Sequence, residues 1–404
     1  MSGPAIMKVA VIGAGAAGLV AARELLKARH DVSVFEQSSR VGGIWVYQAS
    51  SEPDPLGQAG PRLHASMYES LRTNLPRDLM AFFDFSFDSS GGGVDDWPRY
   101  PGHAQVLRYL EEFANTFSLR QRIRFNTKVV QVIHEDRWLL TIDGDNGSVT
   151  EAFDALAVCN GHYTEPRVPD IPGSDHFPAH CMHSHNYRSP DEFLDKQVVI
   201  VGSASSGADL TEEIASTANR VYWCSNDKAA SSKRIKHLNN VTSCGQVKRL
   251  IDDGRIELED QTFVGPVDSF VYATGYHYRF PFLSDDLIEV RDNWVTPLYQ
   301  DLLCITQPTL ALIGLPFKII PFPIFQIQAR WFARMLNAEF ELPTVSSMHQ
   351  AKEARVERLR SVGVLQRNYH ALDDEQYDYY DCLAQECGDS PLPQWYRELG
   401  QAAR

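Results

Sequence analysis

Two glycine-patterned turns carry the chemistry that is easiest to read from this sequence. Residues 13–18 read Gly-Ala-Gly-Ala-Ala-Gly, and residues 202–207 read Gly-Ser-Ala-Ser-Ser-Gly. In the first, Gly13 permits a tight turn, Gly15 lets the backbone approach a pyrophosphate, and Gly18 lets helix and strand pack closely. The start of the following helix adds unpaired N–H groups and the positive end of a dipole, both suited to phosphate oxygens. Glu36 follows about twenty residues on, where a carboxylate accepts hydrogen bonds from ribose hydroxyls. In the second turn Ala204 replaces the middle glycine, so the backbone must tolerate a methyl where a pyrophosphate passes. Ser206 offers a hydroxyl in partial compensation. The chemistry implied is dinucleotide binding, twice.

The elements around each turn have the order that this chemistry needs. An apolar run over 9–12 predicts a buried parallel strand, and Leu19, Ala22, Leu25 and Leu26 predict a helix behind the turn. A second strand is predicted over 32–35, ending on Glu36. The copy has a strand over 198–201, a helix over 208–218 and a strand over 221–223. Between the two, residues 49–62 are rich in Pro, Gly, Ser and Gln and read as loop. Residues 103–117 show one helical face through Val106, Leu107, Leu110, Phe113 and Ala114. A strand is predicted over 123–133, and strands over 138–142 and 149–153 flank a hairpin signal at 144–147 with a loop longer than the two-residue minimum. Buried strands over 155–159 and 267–273 end at Asn160-Gly161 and Thr274-Gly275, points that fit crossings between two nucleotide domains. Residues 325–340 form an amphipathic helix containing Gln328, and the charged 348–360 and acidic, Tyr-rich 373–387 read as surface helices.

Composition narrows the class. A chain of 404 residues with 44% hydrophobic and 22% charged residues is long enough for two cored domains. A net charge of −14 argues against nucleic acid or an anionic membrane as partner. The seven cysteines are scattered and odd in number, which predicts a reducing, cytoplasmic setting. The first eight residues lack a signal-peptide pattern, and the apolar run 309–325 is interrupted by Pro316, Lys318, Pro321 and Pro323, so no membrane span or anchor is expected. His180, His183 and His185 lack helix-borne ligand spacing; Cys181 could join them on zinc, but no metal is assigned. No Cys precedes Cys159 and no Cys-x-x-Cys occurs, which disfavours a disulfide reductase.

Further motifs run through most of the chain: GGIW at 42–45, SLRTN at 70–74, NGHYTEP at 160–166, FPAHCMHSHNY at 177–187 and ATGY at 273–276. With the two glycine turns and Glu36, their order and spacing over about 8–340 resemble the flavin-containing monooxygenase family, class B flavoproteins that use FAD and NADPH. The resemblance implies an α/β fold of two Rossmann-like domains: a discontinuous FAD domain, 1–166 and 278–404, and an inserted NADPH domain, 167–277. It implies that NADPH reduces FAD, that O2 adds to give a flavin hydroperoxide, and that a soft nitrogen or sulfur nucleophile of a small molecule takes the distal oxygen. Asn74 would orient the nicotinamide and the reactive flavin edge, making it the catalytic candidate. The cofactor-contacting set so implied is Gly13, Gly15, Ala16, Ala17, Gly18, Glu36, Gln37, Gly43, Ile44, Trp45, Thr73, Asn74, Leu75, Thr274, Gly275 and Gln328, with Gly202, Ser205, Ser206, Gly207, Ala208 and Asp209 in the second domain.

Two departures from the family pattern, and one match to it, matter. Ala179 stands where the family's F-x-G-x-x-x-H-x-x-x-Y motif has glycine, and Tyr187 stands where the related Baeyer–Villiger enzymes have Trp, which favours heteroatom oxidation. Asn226 occupies roughly the place of an arginine matched to the 2′-phosphate of NADPH, with Asp227 beside it. Lys228, Lys233 or Arg234 could replace that arginine or form a solvated basic face, leaving NADPH against NADH open. Baeyer–Villiger oxygenation or NADPH oxidation on the same fold, and a non-catalytic nucleotide-binding flavoprotein, are the competing readings. A homodimer is compatible with all of them.

Overall fold

The computed structural model describes residues 5–60, 62–145 and 147–403. The chain divides into two compact units, one made of residues up to Val46, Arg72–His162 and Tyr278 onward, the other of Tyr47–Leu71 and Tyr163–His277. Residues 47–71 and 163–166, assigned by sequence to the first domain, cluster with the second unit.

The first unit is built on a seven-stranded sheet in the order Leu298–Tyr299, Leu303–Cys304, Leu310–Leu312, Ala155–Val158, Lys8–Ile12, Asp31–Phe35, Ile123–Arg124. The strands from Leu310–Leu312 to Ile123–Arg124 run parallel, and the other two join antiparallel at one edge. Alternate side chains of the central strand serve two cores, as a pleated strand requires. Val9 and Val11 pack with the helices Ala16–Lys27, His103–Thr116 and Pro321–Leu336, whereas Ala10 and Ile12 pack towards Trp138, Leu140 and Phe153. Those last three belong to an antiparallel sheet of Lys128–His134, Trp138–Gly144 and Gly147–Phe153.

Several boundaries differ from expectation for local reasons. The strand predicted over 123–133 is broken in two, with Asn126 in the left-handed region at φ 52° between the pieces. Gly144 pairs with Gly147, so the hairpin loop is the minimal two residues after all, Asp145 and residue 146, the latter outside the described residues. The helix predicted from 325 begins at Pro321, because the first helical turn has no intrahelical use for the N–H that proline lacks. The Tyr-rich helix Gln376–Glu386 is not a surface helix: Tyr377, Tyr380, Leu383 and Ala384 are buried in the first core.

The second unit carries a five-stranded sheet, all parallel, in the order Val241–Cys244, Arg220–Cys224, Gln197–Val201, Ser269–Tyr272, His180–His183. Its nucleotide-type helix, Ser205–Ala215, starts three residues before the predicted 208. Strand His180–His183, inside the histidine-rich motif, was not anticipated. The outgoing chain at Glu165–Pro166 pairs antiparallel with the returning chain at Tyr276–His277. Both units are of the Rossmann type, each a parallel sheet with a glycine turn feeding a helix. Among the described residues no helix is long and apolar enough to cross a membrane.

Candidate functional site

In the first unit, the glycine turn is closed by contacts that admit no side chain. Gly13 has φ +103°, and a Cβ there would lie 2.6 Å from the Cys159 carbonyl oxygen. A Cβ on Gly18 would lie 1.9 Å from the Gly13 oxygen, which is how tightly the helix is seated on the strand end. Gly43 (φ +57°) faces Gly15 so closely that its Cβ would meet the Gly15 Cα at 3.0 Å. The Gly42 N–H donates to the Ala14 carbonyl at 3.0 Å, locking the GGIW turn against the first one. Two bare backbones thus face each other where a pyrophosphate needs room. Helix Ala16–Lys27 has Gly15 as N-cap with no side-chain cap, so Ala16 and Ala17 open a helix without a capping hydroxyl.

Glu36 is buried, and its two carboxylate oxygens accept from the Ala14 N–H and the Ser38 N–H, each at 2.8 Å. Each oxygen retains a further lone pair, the number needed for two ribose hydroxyls. A ribose 2′-phosphate would be repelled there, so this site fits FAD. Gln37 is exposed next to it, and Ile44 and Trp45 are half-buried on the 3-10 turn Gly43–Trp45. Thr73 is fixed at both ends, its N–H donating to Pro101 (2.9 Å) and its hydroxyl to the Leu75 carbonyl (2.7 Å), which leaves Asn74 exposed between Thr73 and half-buried Leu75.

Gln328 is placed differently from its expected role. It is fully buried, with Oε1 accepting from the Gly314 N–H at 2.9 Å and Nε2 donating to the Tyr379 hydroxyl at 2.7 Å. Its amide supports the left-handed Gly314 turn (φ +89°) at the end of strand Leu310–Leu312 and has no surface with which to touch a cofactor.

The second unit repeats the close approaches of the first turn. Gly202 has φ +133°, and its Cβ would lie 2.1 Å from the Ala273 oxygen; that of Gly207 would lie 2.2 Å from the Gly202 oxygen. The substitution at Ala204 turns out to be harmless to the backbone. Ala204 has φ −79° and ψ −178°, Gly15 has −76° and −173°, and any residue adopts that extended conformation. Ser205 and Ser206 are exposed at the helix start, and Gly207 and Ala208 are buried behind them. The Asp209 carboxylate is near the Arg234 guanidinium (3.3 Å) and the Tyr68 hydroxyl (3.5 Å), and burial raises its pKa. Arg234 also lies 3.6 Å from Glu212. Asp227 is engaged as the N-cap of helix Lys228–Arg234, accepting from the Ala230 N–H at 2.9 Å. The Lys228 side chain lies outside the described residues.

The histidine-rich motif is a hydrogen-bonded core feature. His183 Nε2 is 3.0 Å from the Gly275 oxygen, its Nδ1 accepts from the His185 N–H, and burial, then the neighbouring His185, push its pKa down to about 3. His185 Nε2 lies 3.1 Å from Glu52, and His180 is exposed. Among the described residues no group of three or more His, Cys, Asp or Glu side chains could hold a metal ion. Thr274 and Gly275 secure the returning chain, with the Thr274 hydroxyl donating to the Arg167 carbonyl and the Arg167 N–H to the Gly275 carbonyl. Sequence reading passed over Ser38, whose N–H helps aim Glu36, and Arg188, a lone arginine with no pattern around it.

Comparison with known proteins agrees with this geometry. The model of the family described as flavin-binding monooxygenase-like matches residues 6–239 and 238–395. The chain is 42% identical over 403 residues to the flavin-containing monooxygenase FMO GS-OX5 of Arabidopsis thaliana, covering 97% of this chain and 88% of that protein. The structure of S-allyl-L-cysteine S-oxygenase from Allium sativum superposes with a TM-score of 0.94 at 39% identity, covering 100% of this chain and 93% of that one. Tmm from Pelagibacter sp. strain HTCC7211 shares the fold at a TM-score of 0.82 and 23% identity, covering 98% and 90% of the two chains.

Proposed function

The chain belongs to the flavin-containing monooxygenase family, and from that membership we propose that it oxygenates the thioether sulfur of a small molecule. The observation that carries the choice of sulfur is likeness over the whole length, at 39% identity, to a protein named as an S-oxygenase. Nitrogen nucleophiles are the second substrate class that the family's chemistry admits. The family's cofactors, FAD and NADPH, supply hydride transfer and oxygen activation when bound.

The residues divide between the two cofactors as follows. The first unit holds FAD: the facing backbones at Gly13, Gly15, Gly18 and Gly43 admit the pyrophosphate, the helix start at Ala16 and Ala17 presents N–H groups to it, and Glu36 accepts the ribose hydroxyls. Gln37, Ile44, Trp45, Thr73 and Leu75 line the rest of that site. The second unit holds NADPH on Gly202, Ser205, Ser206, Gly207 and Ala208, with Asp209 fixing Arg234 nearby. Asn74 orients the reacting groups with its amide, which donates and accepts without titrating. The seven cysteines, scattered and odd in number, support a reducing, cytoplasmic setting.

The test is a substrate panel with the purified, flavin-loaded protein, NADPH and O2. S-allyl-L-cysteine should gain one oxygen atom, seen as the sulfoxide by mass spectrometry, faster than a tertiary amine or a cyclic ketone is turned over. Ketone converted to lactone with no sulfoxide formed would overturn the reading.

A further inference from the structure

Segment 47–71 has an unusual place in the chain. It leaves the first unit directly after Trp45-Val46 and returns to it directly before Thr73-Asn74, yet it clusters with the second unit. Both of its ends therefore run into residues assigned above to the cofactors. Among its described residues there is no strand or helix, and much of its support comes from buried side chains of residues 183–188.

Arg188 joins the two ends of the segment. Its Nε donates to the carbonyls of Gln48 (2.8 Å) and Ser50 (3.1 Å), and its Nη2 to that of Ala65 (3.3 Å). Its Nη1 donates to the carbonyls of His185 and Tyr187, both at 2.8 Å, which fixes the guanidinium to its own strand of chain. One planar cation thus ties residues 48 and 50 to residue 65, and all three to the motif. Asn186 adds three bonds, accepting from the Glu52 N–H (2.9 Å) and donating to the carbonyls of Asp54 and Pro55 (3.0 Å each). Glu52 accepts from the Leu63 N–H at 2.7 Å and faces His185 Nε2 at 3.1 Å. The His183 N–H donates to the Pro55 carbonyl at 3.0 Å. Asp54 closes the tip by accepting from the N–H groups of Leu56, Gln58 and Ala59. Arg188 is 9% exposed and Glu52 4%, so the clamp is sheltered from water.

We propose that Arg188 is a positioning residue for the oxygenation reaction: by clamping segment 48–65 it fixes the chain that leads into Thr73-Asn74, and so keeps NADPH consumption coupled to product. The proposal rests on the role given to Asn74 above. When the clamp loosens, reducing equivalents go to oxygen alone, so that NADPH, a proton and O2 give NADP⁺ and H2O2, and the thioether is left unchanged. Arginine suits the task because its donors radiate in a fixed plane towards carbonyls on three stretches of chain, which a single ammonium cannot reach together.

The experiment compares the flavin-loaded wild type with Arg188→Met, Arg188→Lys, Asn186→Ala and Asn74→Ala. Three quantities are read: flavin per protein from the absorption spectrum, amide hydrogen exchange over 48–65, and the share of consumed NADPH recovered as H2O2 against sulfoxide. Arg188→Met should keep its flavin, exchange faster over 48–65, and raise the H2O2 share by roughly threefold or more, since small misplacements of reacting groups are costly in rate. Arg188→Lys should restore part of the coupling. Faster exchange with an unchanged H2O2 share would overturn the proposal, as would uncoupling seen only in proportion to lost flavin. If Arg188→Met does not fold, Asn186→Ala carries the same two outcomes. Asn74→Ala separates the failures: if it leaves coupling unchanged, the Asn74 role falls and the proposal with it. If it uncouples while the clamp variants do not, the proposal alone falls.

Discussion

At Gly18 and Gly207 a single methyl group decides whether a nucleotide turn can close. A Cβ on Gly207 would sit 2.2 Å from a backbone oxygen that cannot move without shifting the strand it ends, so Gly207→Ala should abolish NADP⁺ binding in a calorimetric titration. Ala204 sits two residues from Ser206 and three from Gly207, but in extended backbone. Ala204→Gly should leave the NADP⁺ dissociation constant within about threefold, because the alanine forces no unusual dihedral. Asn74 is tested by function: Asn74→Ala should retain FAD and be reduced by NADPH, but release H2O2 where the wild type forms sulfoxide. Unchanged coupling would remove Asn74 from the catalytic role. The second cofactor's 2′-phosphate has no arginine directly after strand Arg220–Cys224, and Arg234 is paired with Asp209 and Glu212. Comparing NADPH with NADH in Arg234→Ala asks whether that arginine leaves its acids for a phosphate; an unaltered preference would show that it does not.

At the scale of elements, the C-terminal helix Gln376–Glu386 is part of the first unit's core. Trp331 Nε1 and the Tyr299 hydroxyl donate to the two oxygens of Glu386, at 2.9 and 2.8 Å, and Leu383 is fully buried in the same core. Leu383→Ala should lower stability by about 2–5 kcal/mol, the range for a leucine cavity, read as a shift of the urea midpoint. Val362→Ala, at a residue 70% exposed, should stay within about 0.5 kcal/mol. This element also shows what sequence could and could not convey. The glycine turns, Glu36 and the parallel strands were legible because residue type at a fixed offset is itself the physical requirement there. The tail was misread because its acids mask the buried positions of Tyr377, Tyr380 and Leu383. Helix starts at 205 and 321 were misjudged where serines and prolines, poor helix formers inside a helix, occupy first turns that tolerate them. Residues 49–62 could be read only as loop, since Arg188 meets residues 48, 50 and 65 from 123 to 140 residues away in sequence and no local pattern encodes such bonds.

For the molecule as a whole, acid acts through two opposing charge effects. The net charge of −14 shrinks as carboxylates take up protons, which relieves self-repulsion, but that happens mainly below about pH 5. The buried histidines respond earlier. Burial, then the adjacent His185, depress the pKa of His183 to about 3, and burial lowers those of His185 and His30. A histidine lowered in the folded state is neutral there but protonates in the unfolded chain at about 6.5, so the unfolded state binds more protons below that pH. Stability is then fully present above pH 6.5 and is lost as pH falls from 6.5 towards about 3 for His183. Between pH 7 and 5 the histidine effect therefore outweighs relief of repulsion, and the flavin-loaded protein should unfold at lower urea at pH 5.5 than at pH 7. Hydrogen exchange should show the loss in both units, with His30 and His162 in the first and His183 and His185 in the second. His183→Gln keeps a donor for the Gly275 carbonyl but cannot titrate, so it should flatten the pH dependence of the second unit. A slope as steep as that of the wild type would show that His183 is not its source.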